Sequence, residues 1–348
     1  MGHRKHNAPR RGSLAFSPRA RHQVLLPRVR NWTDRGAERP MLAGFPAFKA
    51  GMLQVITIDD RERTPNYGRP MFNPATILAT PPVTVCAFRA YGEKEGRKFV
   101  IADVFAEGLD EVLRNKIGCL KNADAEAKID LLTKQIGEVT EFVALVATMP
   151  NEAGLSNNVP QVQEIGIAGG DVKAKLEYLR GILGKQLKSS DLLKLGAYVD
   201  AIAITKGKGF EGPVTRFGVK RKQHKSRKSV RAVGVISPWH PATVMYTVAR
   251  AGQMGFHQRI MKNNRILAMG NSQQNPITPS GGYLHFGEIK GDYVILRGSI
   301  PGPAKRLVDL RLPIYPRKQK VVPARLVELN LGGVPLQVPQ VAQATQTK

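Results

Sequence analysis

Seven histidines, two cysteines and 27 acidic residues are the groups through which this 348-residue chain could do covalent or metal chemistry. Their spacing argues against both. Cys86 and Cys119 match no metal-ligand spacing. His3, His6 and His22 lie near the start of the chain, and His224 lies in a lysine-rich tract. His240 and His257 flank a turn or short helix, with no neighbouring Cys or acid to complete a metal set. There is no G-x-S-x-G and no H-E-x-x-H. The acids cluster among lysines, as on a solvated helix surface. No catalytic residue, metal or cofactor is expected. Gly207, Gly209 and Gly212 spell G-x-G-x-x-G after a strand, but Pro213 follows at once and no acid comes about 20 residues later. The glycines therefore read as a hinge where the chain leaves a strand, able to bring its backbone close to a phosphate.

The chemistry that is available is neutralisation of a polyanion. The chain holds 53 Lys+Arg against 27 Asp+Glu, and the excess is concentrated. Residues 206–231 carry ten basic residues and one acid, Glu211, and residues 1–39 carry ten basic residues and two acids. Residues 93–200 are slightly acidic, with 17 acids and 14 bases. Concentrated like charge repels itself until a polyanion neutralises it. Such segments gain order on a partner rather than by burying a core. The run 219–231 has no apolar face at helical spacing, so it is not a membrane-surface helix. No apolar stretch reaches the ~20 residues needed to span a bilayer. The start of the chain lacks the apolar region of a secretory signal, so two free thiols in a reducing cytosol are expected. Pro238-Trp239-His240-Pro241 sets a large ring between prolines at a bend. Two readings stand: a core tryptophan, or a ring at the tip of a basic loop, able to stack on a base or fill an RNA crevice.

The elements that must position these segments are mostly strands. Residues 47–60 and 74–91 are rich in Val, Ile, Thr and Phe and bounded by Gly and Pro. Residues 98–107, 141–150 and 197–209 read likewise, as do the short runs NNRILAMG, GYLHFGEI, DYVILRGSI and RLVDLRLP. Residues 109–118, 123–138 and 171–187 place apolar residues three and four apart, the last opening with Asp171 as an N-cap. Strands thus flank a helical block on both sides. This pattern predicts a mainly β fold, a barrel or sandwich, interrupted by an α+β insert and a basic loop.

Several stretches resemble the universal large-ribosomal-subunit protein three family in its archaeal–eukaryotic form. They are HRKxxAPRRGSLAFSPRARH, FPAFKAGM, TPPVTV, the long run FGVKRKQHKSRKSVRAVGVISPWHPATVMYTVARAGQMGFHQR, and GSIPGPAKRLVDLR. The resemblance runs to about residue 312. It implies a translation-protein-type β-barrel with an α+β insert, an irregular N-terminal arm and a long central finger. The corresponding division is 1–39 arm, 40–92 first part of the barrel, 93–194 insert, 195–205 barrel strand, 206–259 finger, 260–315 last part of the barrel and 316–348 tail. The final dozen residues are expected to be mobile. The implied partners are large-subunit rRNA and neighbouring large-subunit proteins, with no membrane and no small-molecule substrate. The implied role is structural, in early subunit assembly and, through Trp239, near the peptidyl transferase centre of cytoplasmic ribosomes. The alternative is a free RNA-modifying or RNA-chaperone protein. The methylated finger histidine of the family's eukaryotic members falls on Arg227 here, so the modification is not carried over. The expected rRNA-binding residues in the arm are Arg4, Lys5, Arg10, Arg11, Arg19, Arg21, Arg28 and Arg30. In the finger they are Lys206, Lys208, Arg216, Lys220, Arg221, Lys222, His224, Lys225, Arg227, Lys228, Arg231, Trp239, His240, Arg250, His257 and Arg259.

Overall fold

The alternating apolar runs become two large sheets in the computed structural model, which describes residues 11–34, 39–118, 124–226, 229–316, 321–331 and 334–336. The chain divides into two compact units. One comprises Leu25–Ala203 with Arg259–Lys348, and the other Met1–Val24 with Ile204–Gln258. Both large sheets are built on the first. The chain is mainly β.

The larger sheet has the order Leu307–Arg311, Tyr198–Ile204, Gln258–Asn271, Asp292–Arg297, Pro70–Ala79, Gly44–Ile58, Leu326–Leu331, Val334–Leu336. Leu307–Arg311 also pairs with Gly44–Ile58, setting Leu307 opposite Phe48 and Arg311 opposite Gly44. The Gly44–Ile58 strand is buried continuously through Ala50 and then alternates. Its first half is therefore covered on both faces, while its second half has one face in solvent. Phe48, Ile77, Ile295 and Tyr293 share one cluster, and Val199, Ala201, Ile266 and Val308 another. Each fully buried Val, Ile or Phe among them contributes about 1.5–3 kcal/mol.

Charged groups inside this sheet are held by partners. Lys49 Nζ donates to the carbonyls of Ile300 (2.6 Å) and Gly302 (2.9 Å), and burial pushes its pKa down. The GSIPGP motif is thus anchored to the Gly44–Ile58 strand. Arg311 pairs with Asp200 at 2.9 Å, both side chains almost wholly buried, and donates also to the Asn31 carbonyl. Asp200 Oδ1 accepts from the Asn263 backbone N–H at 2.9 Å.

The second sheet has the order Met41–Leu42, Gln161–Ala168, Val139–Thr148, Val83–Lys94, Arg97–Phe105, with Gln186–Leu187 beside Val83–Lys94. The helices Ala125–Lys134 and Val172–Ile182 cover it through Ile129, Leu132, Leu176 and Leu179, which meet Phe88 and Phe142. Those two rings pack edge to face at 6.2 Å. A bulge between Val85 and Ala87 shifts the alternation, so Val83, Val85, Phe88 and Ala90 share that core. Cys86 packs instead with Leu113 of the helix Glu111–Ile117. Burial pushes its thiol up to about 11, so it is unreactive. Cys119 lies outside the described residues.

Within the larger unit the structure differs from the sequence reading in four places. Val83–Lys94, placed mostly in the first part of the barrel by the family resemblance, pairs with the insert's strands, so residue 93 falls inside a strand rather than at a boundary. Composition marks a strand but does not choose its partners. Residues 282–289 form turns with one bridge, Tyr283 to Gly287, and no strand. His285 has φ 63°, which breaks the extended backbone, and Tyr283 donates its hydroxyl to the Ile277 carbonyl from a buried position. The tail supplies the strand Leu326–Leu331 to the edge of Gly44–Ile58; the final dozen residues lie outside the described ones. Asp171 takes the N-cap position with extended backbone, but its side chain makes no capping hydrogen bond.

Candidate nucleic-acid interface

Between Gly212 and Gly287 the chain has no acidic residue. All of the basic loop beyond its outgoing leg, which carries Glu211, lies inside this acid-free stretch, and its two legs are fastened at the base by backbone hydrogen bonds. Thr205 N–H donates to His257 O (2.9 Å), Lys208 N–H to Met254 O (2.9 Å) and Met254 N–H to Gly209 O (2.9 Å). Phe210–Glu211 then pairs with Gly252–Gln253. Gly255, at φ 74°, permits this approach, since any Cβ there would meet the Lys206 carbonyl.

Pro213 does not extinguish helix, as the sequence reading assumed. It takes the first turn of a five-residue helix, Pro213–Phe217, where a missing N–H costs nothing. This helix carries Arg216 back across the loop. Its Nε donates to Gln253 O (3.0 Å) and its Nη1 to Arg250 O (3.1 Å). Beyond Gly218 and up to Arg250 there is no helix or strand among the described residues.

The arm docks on the same base. Arg19 Nη1 donates to Arg216 O at 2.6 Å, and its guanidinium lies 4.1 Å from the Phe217 ring centre. The Arg216 guanidinium is 5.2 Å from the same ring. Cationic groups are drawn to an aromatic face, yet two of them crowd here. Burial and the charge of Arg19 push the Arg216 pKa below its ordinary value. Further along, His22 N–H donates to Phe256 O (2.8 Å), and Arg21 lies 5.5 Å from the Phe256 ring centre. His257 is buried, with Nδ1 hydrogen-bonded to Ala20 O at 2.8 Å.

Arg19, Arg216 and His257 are therefore engaged in joining arm to loop. Arg11, Arg21, Lys206, Lys208, Lys220, Arg221, His224, Lys225, Arg231, Trp239, His240 and Arg250 are exposed, and Lys222 is half-buried. Arg28, Arg30 and Arg259 belong to the larger unit. Arg4, Lys5, Arg10, Arg227 and Lys228 lie outside the described residues. Trp239 is 89% exposed, with the His240 ring at 6.4 Å in an edge-on contact. This excludes the core reading of Trp239. The sequence reading passed over Phe217, which receives two guanidiniums, and the exposed Val235 and Tyr246. Their signal was present, as large apolar residues inside an acid-free basic tract. Among the described residues no three metal-ligating side chains gather, and no helix is long and apolar enough to cross a membrane.

Comparison with known proteins adds a direct likeness. The family model for ribosomal protein L3 matches residues 1–331, past the point near residue 312 where the motifs faded. Large ribosomal subunit protein uL3 of Methanocaldococcus jannaschii is 45% identical over 315 residues, covering 90% of this chain and 93% of that protein. The protein of the same name from Methanococcus vannielii is 41% identical over 322 residues, covering 92% and 95%. That from Methanococcoides burtonii is 41% identical over 317 residues, covering 90% and 92%.

Proposed function

We propose, since the chain belongs to the ribosomal protein L3 family, that it is a structural constituent of the large ribosomal subunit and holds that subunit's RNA with its arm and finger. The observation that carries this reading is the loop beyond Gly212, which holds no acid: exposed Lys and Arg side chains on a segment largely without regular structure, pinned at its base. Phosphates would neutralise the loop's self-repulsion and relieve the crowding of Arg19 and Arg216. Trp239, exposed at a bend, is the ring that meets RNA near the peptidyl transferase centre. The described rRNA-binding set is the exposed basic residues above, with Arg19, Arg216 and His257 positioning them. The Glu- and Asp-bearing α+β sheet faces neighbouring proteins or solvent. On this reading the protein acts early in subunit assembly and resides in cytoplasmic ribosomes.

The larger sheet is read as a closed six-stranded barrel of the translation-protein type. Support comes from the ring of pairings that returns from Leu307–Arg311 to Gly44–Ile58.

Sedimentation and salt dependence test the function. The chain should comigrate with the large subunit after a high-salt wash. Log affinity for large-subunit RNA should fall linearly with log salt, by about 0.7–0.9 per neutralised phosphate. Replacing Lys220, Arg221 and Lys222 with Ala should make that slope shallower by roughly two to three. A chain found free of the subunit, or a triple variant with the wild-type slope, would refute the reading.

A further inference from the structure

A cavity of about 320 Å³ opens between the arm at Ser13–Arg19, the helix Pro213–Phe217 and the returning segment Val244–Arg250. All its walls belong to the smaller unit. Three of its lining residues are arginines (Arg19, Arg216 and Arg250), and none is an acid. The rest of the lining is largely apolar or aromatic, with Phe217 among the lining residues and Tyr246, 83% exposed, among them too.

We propose that this cavity takes one nucleotide extruded from the RNA, its base against Tyr246 and the guanidinium–Phe217 platform, its phosphate beside Arg250. The proposal rests on the RNA-binding reading above and names a site within it. Size selects the occupant first. The volume is at the lower end of the ~300–1,000 Å³ typical of small-ligand pockets, which suits one planar ring system and excludes a helix. Chemistry selects next. A bare phosphate would gain nothing from Leu14, Val244, Met245 and Val248, and an apolar side chain would gain nothing from three guanidiniums. A nucleotide has both a π-face and a charge. Proteins that engage unpaired bases stack them on aromatic rings or on guanidinium planes, and the Arg19–Phe217 pair at 4.1 Å offers both. Arg19 is already oriented by its hydrogen bond to Arg216 O, so little ordering is left for the moment of binding.

The test uses the full chain and its own large-subunit RNA. Tyr246→Ala should weaken binding about ten-fold, the scale of one lost stacking contact. The salt slope should stay unchanged, because no phosphate contact is removed. Tyr246→Phe should restore wild-type affinity. Val244→Trp, at the half-exposed rim, should block the mouth and weaken binding similarly, while Arg250→Gln should make the slope shallower by roughly one. Replacing Tyr246 with the photocrosslinker p-benzoylphenylalanine in assembled subunits should yield one dominant RNA nucleotide. The proposal fails if Tyr246→Ala and Val244→Trp both bind within two-fold of wild type. It also fails if the crosslink falls on a protein. Either failure leaves RNA binding by the wild-type chain intact, whereas a wild-type chain that does not bind overturns both readings.

Discussion

Trp32 and Trp239 are the chain's two tryptophans, one in each compact unit, and they meet opposite environments. Trp32 is half-buried and packs on the core of the α+β sheet. Its ring sits against Gly166 and Gly44, where any Cβ would collide with it. Trp239 is almost wholly exposed, between two prolines, in a stretch without a single acid. The ring is the same, so the surroundings decide. Strands that present glycine and apolar neighbours give an aromatic ring a place to be buried. A segment of dense positive charge cannot collapse around one. The arm shows the same division within itself. Its first half docks on the loop through Arg19 and His22, while Leu26, Trp32 and Thr33 are part of the larger unit's packing or are buried in it.

This contrast is open to direct attack. The largest effect expected is from Arg311→Ala, which strands the buried Asp200 carboxylate. Urea unfolding should show a loss of about 3–5 kcal/mol. Trp32→Ala should cost about 2–4 kcal/mol, somewhat below the usual range for a buried ring because Trp32 is only half-buried. Trp239→Ala should change stability by less than about 0.5 kcal/mol, as an exposed position does. It should alter aminoacyl-tRNA binding or sensitivity to drugs acting near the peptidyl transferase centre. Stability losses in the reverse order would break the contrast.

A fourth change probes a carboxyl buried in the core. Asp309 is buried, and burial raises its carboxyl pKa well above the ordinary value. The folded state therefore holds the proton more tightly than the unfolded chain. The resulting stabilisation is full below the unfolded pKa, about 3.9, and is lost as pH rises through the raised folded value. Asp309→Asn should flatten this fall, with unfolding midpoints that exceed those of wild type most at neutral pH. A wild-type profile that rises over the same window, with no gain in the variant, would contradict the burial assignment. Gly12→Ala should act locally, on the docking of the arm rather than on the fold as a whole. Gly12 has φ 72°, and a Cβ there would lie 2.6 Å from Phe217. The strain of about 1–2 kcal/mol should undock the arm, seen as faster proteolysis before residue 24 with little change in the global midpoint.

Much of this arrangement was legible in the residues. The helices at 111–117, 125–134 and 172–182 followed from apolar spacing, and the strand Val139–Thr148 from an unbroken apolar run. The exposure of Lys220, Arg221 and Lys225 followed from charge density and the lack of an apolar face. Pairing was not legible. Val83–Lys94 has the composition of either sheet, and only its hydrogen-bond partners Arg97–Phe105 and Val139–Thr148 place it. Leu326–Leu331 is short and lies in a tail without period, so its addition to Gly44–Ile58 had no local signal.

Residue types and their order determined that the charge would concentrate in an arm and a loop, that no metal or nucleophile set would be spelled out in motif, and that the rest would fold as strands with a helical block. These are local properties, set by self-repulsion and by side-chain periodicity. Tertiary structure decided which strands are neighbours, that Arg19 and Arg216 meet on Phe217, and that Trp32 packs against a sheet core while Trp239 stays exposed. These depend on contacts between residues far apart in the chain, and their energies exist only once the backbone has brought the partners together.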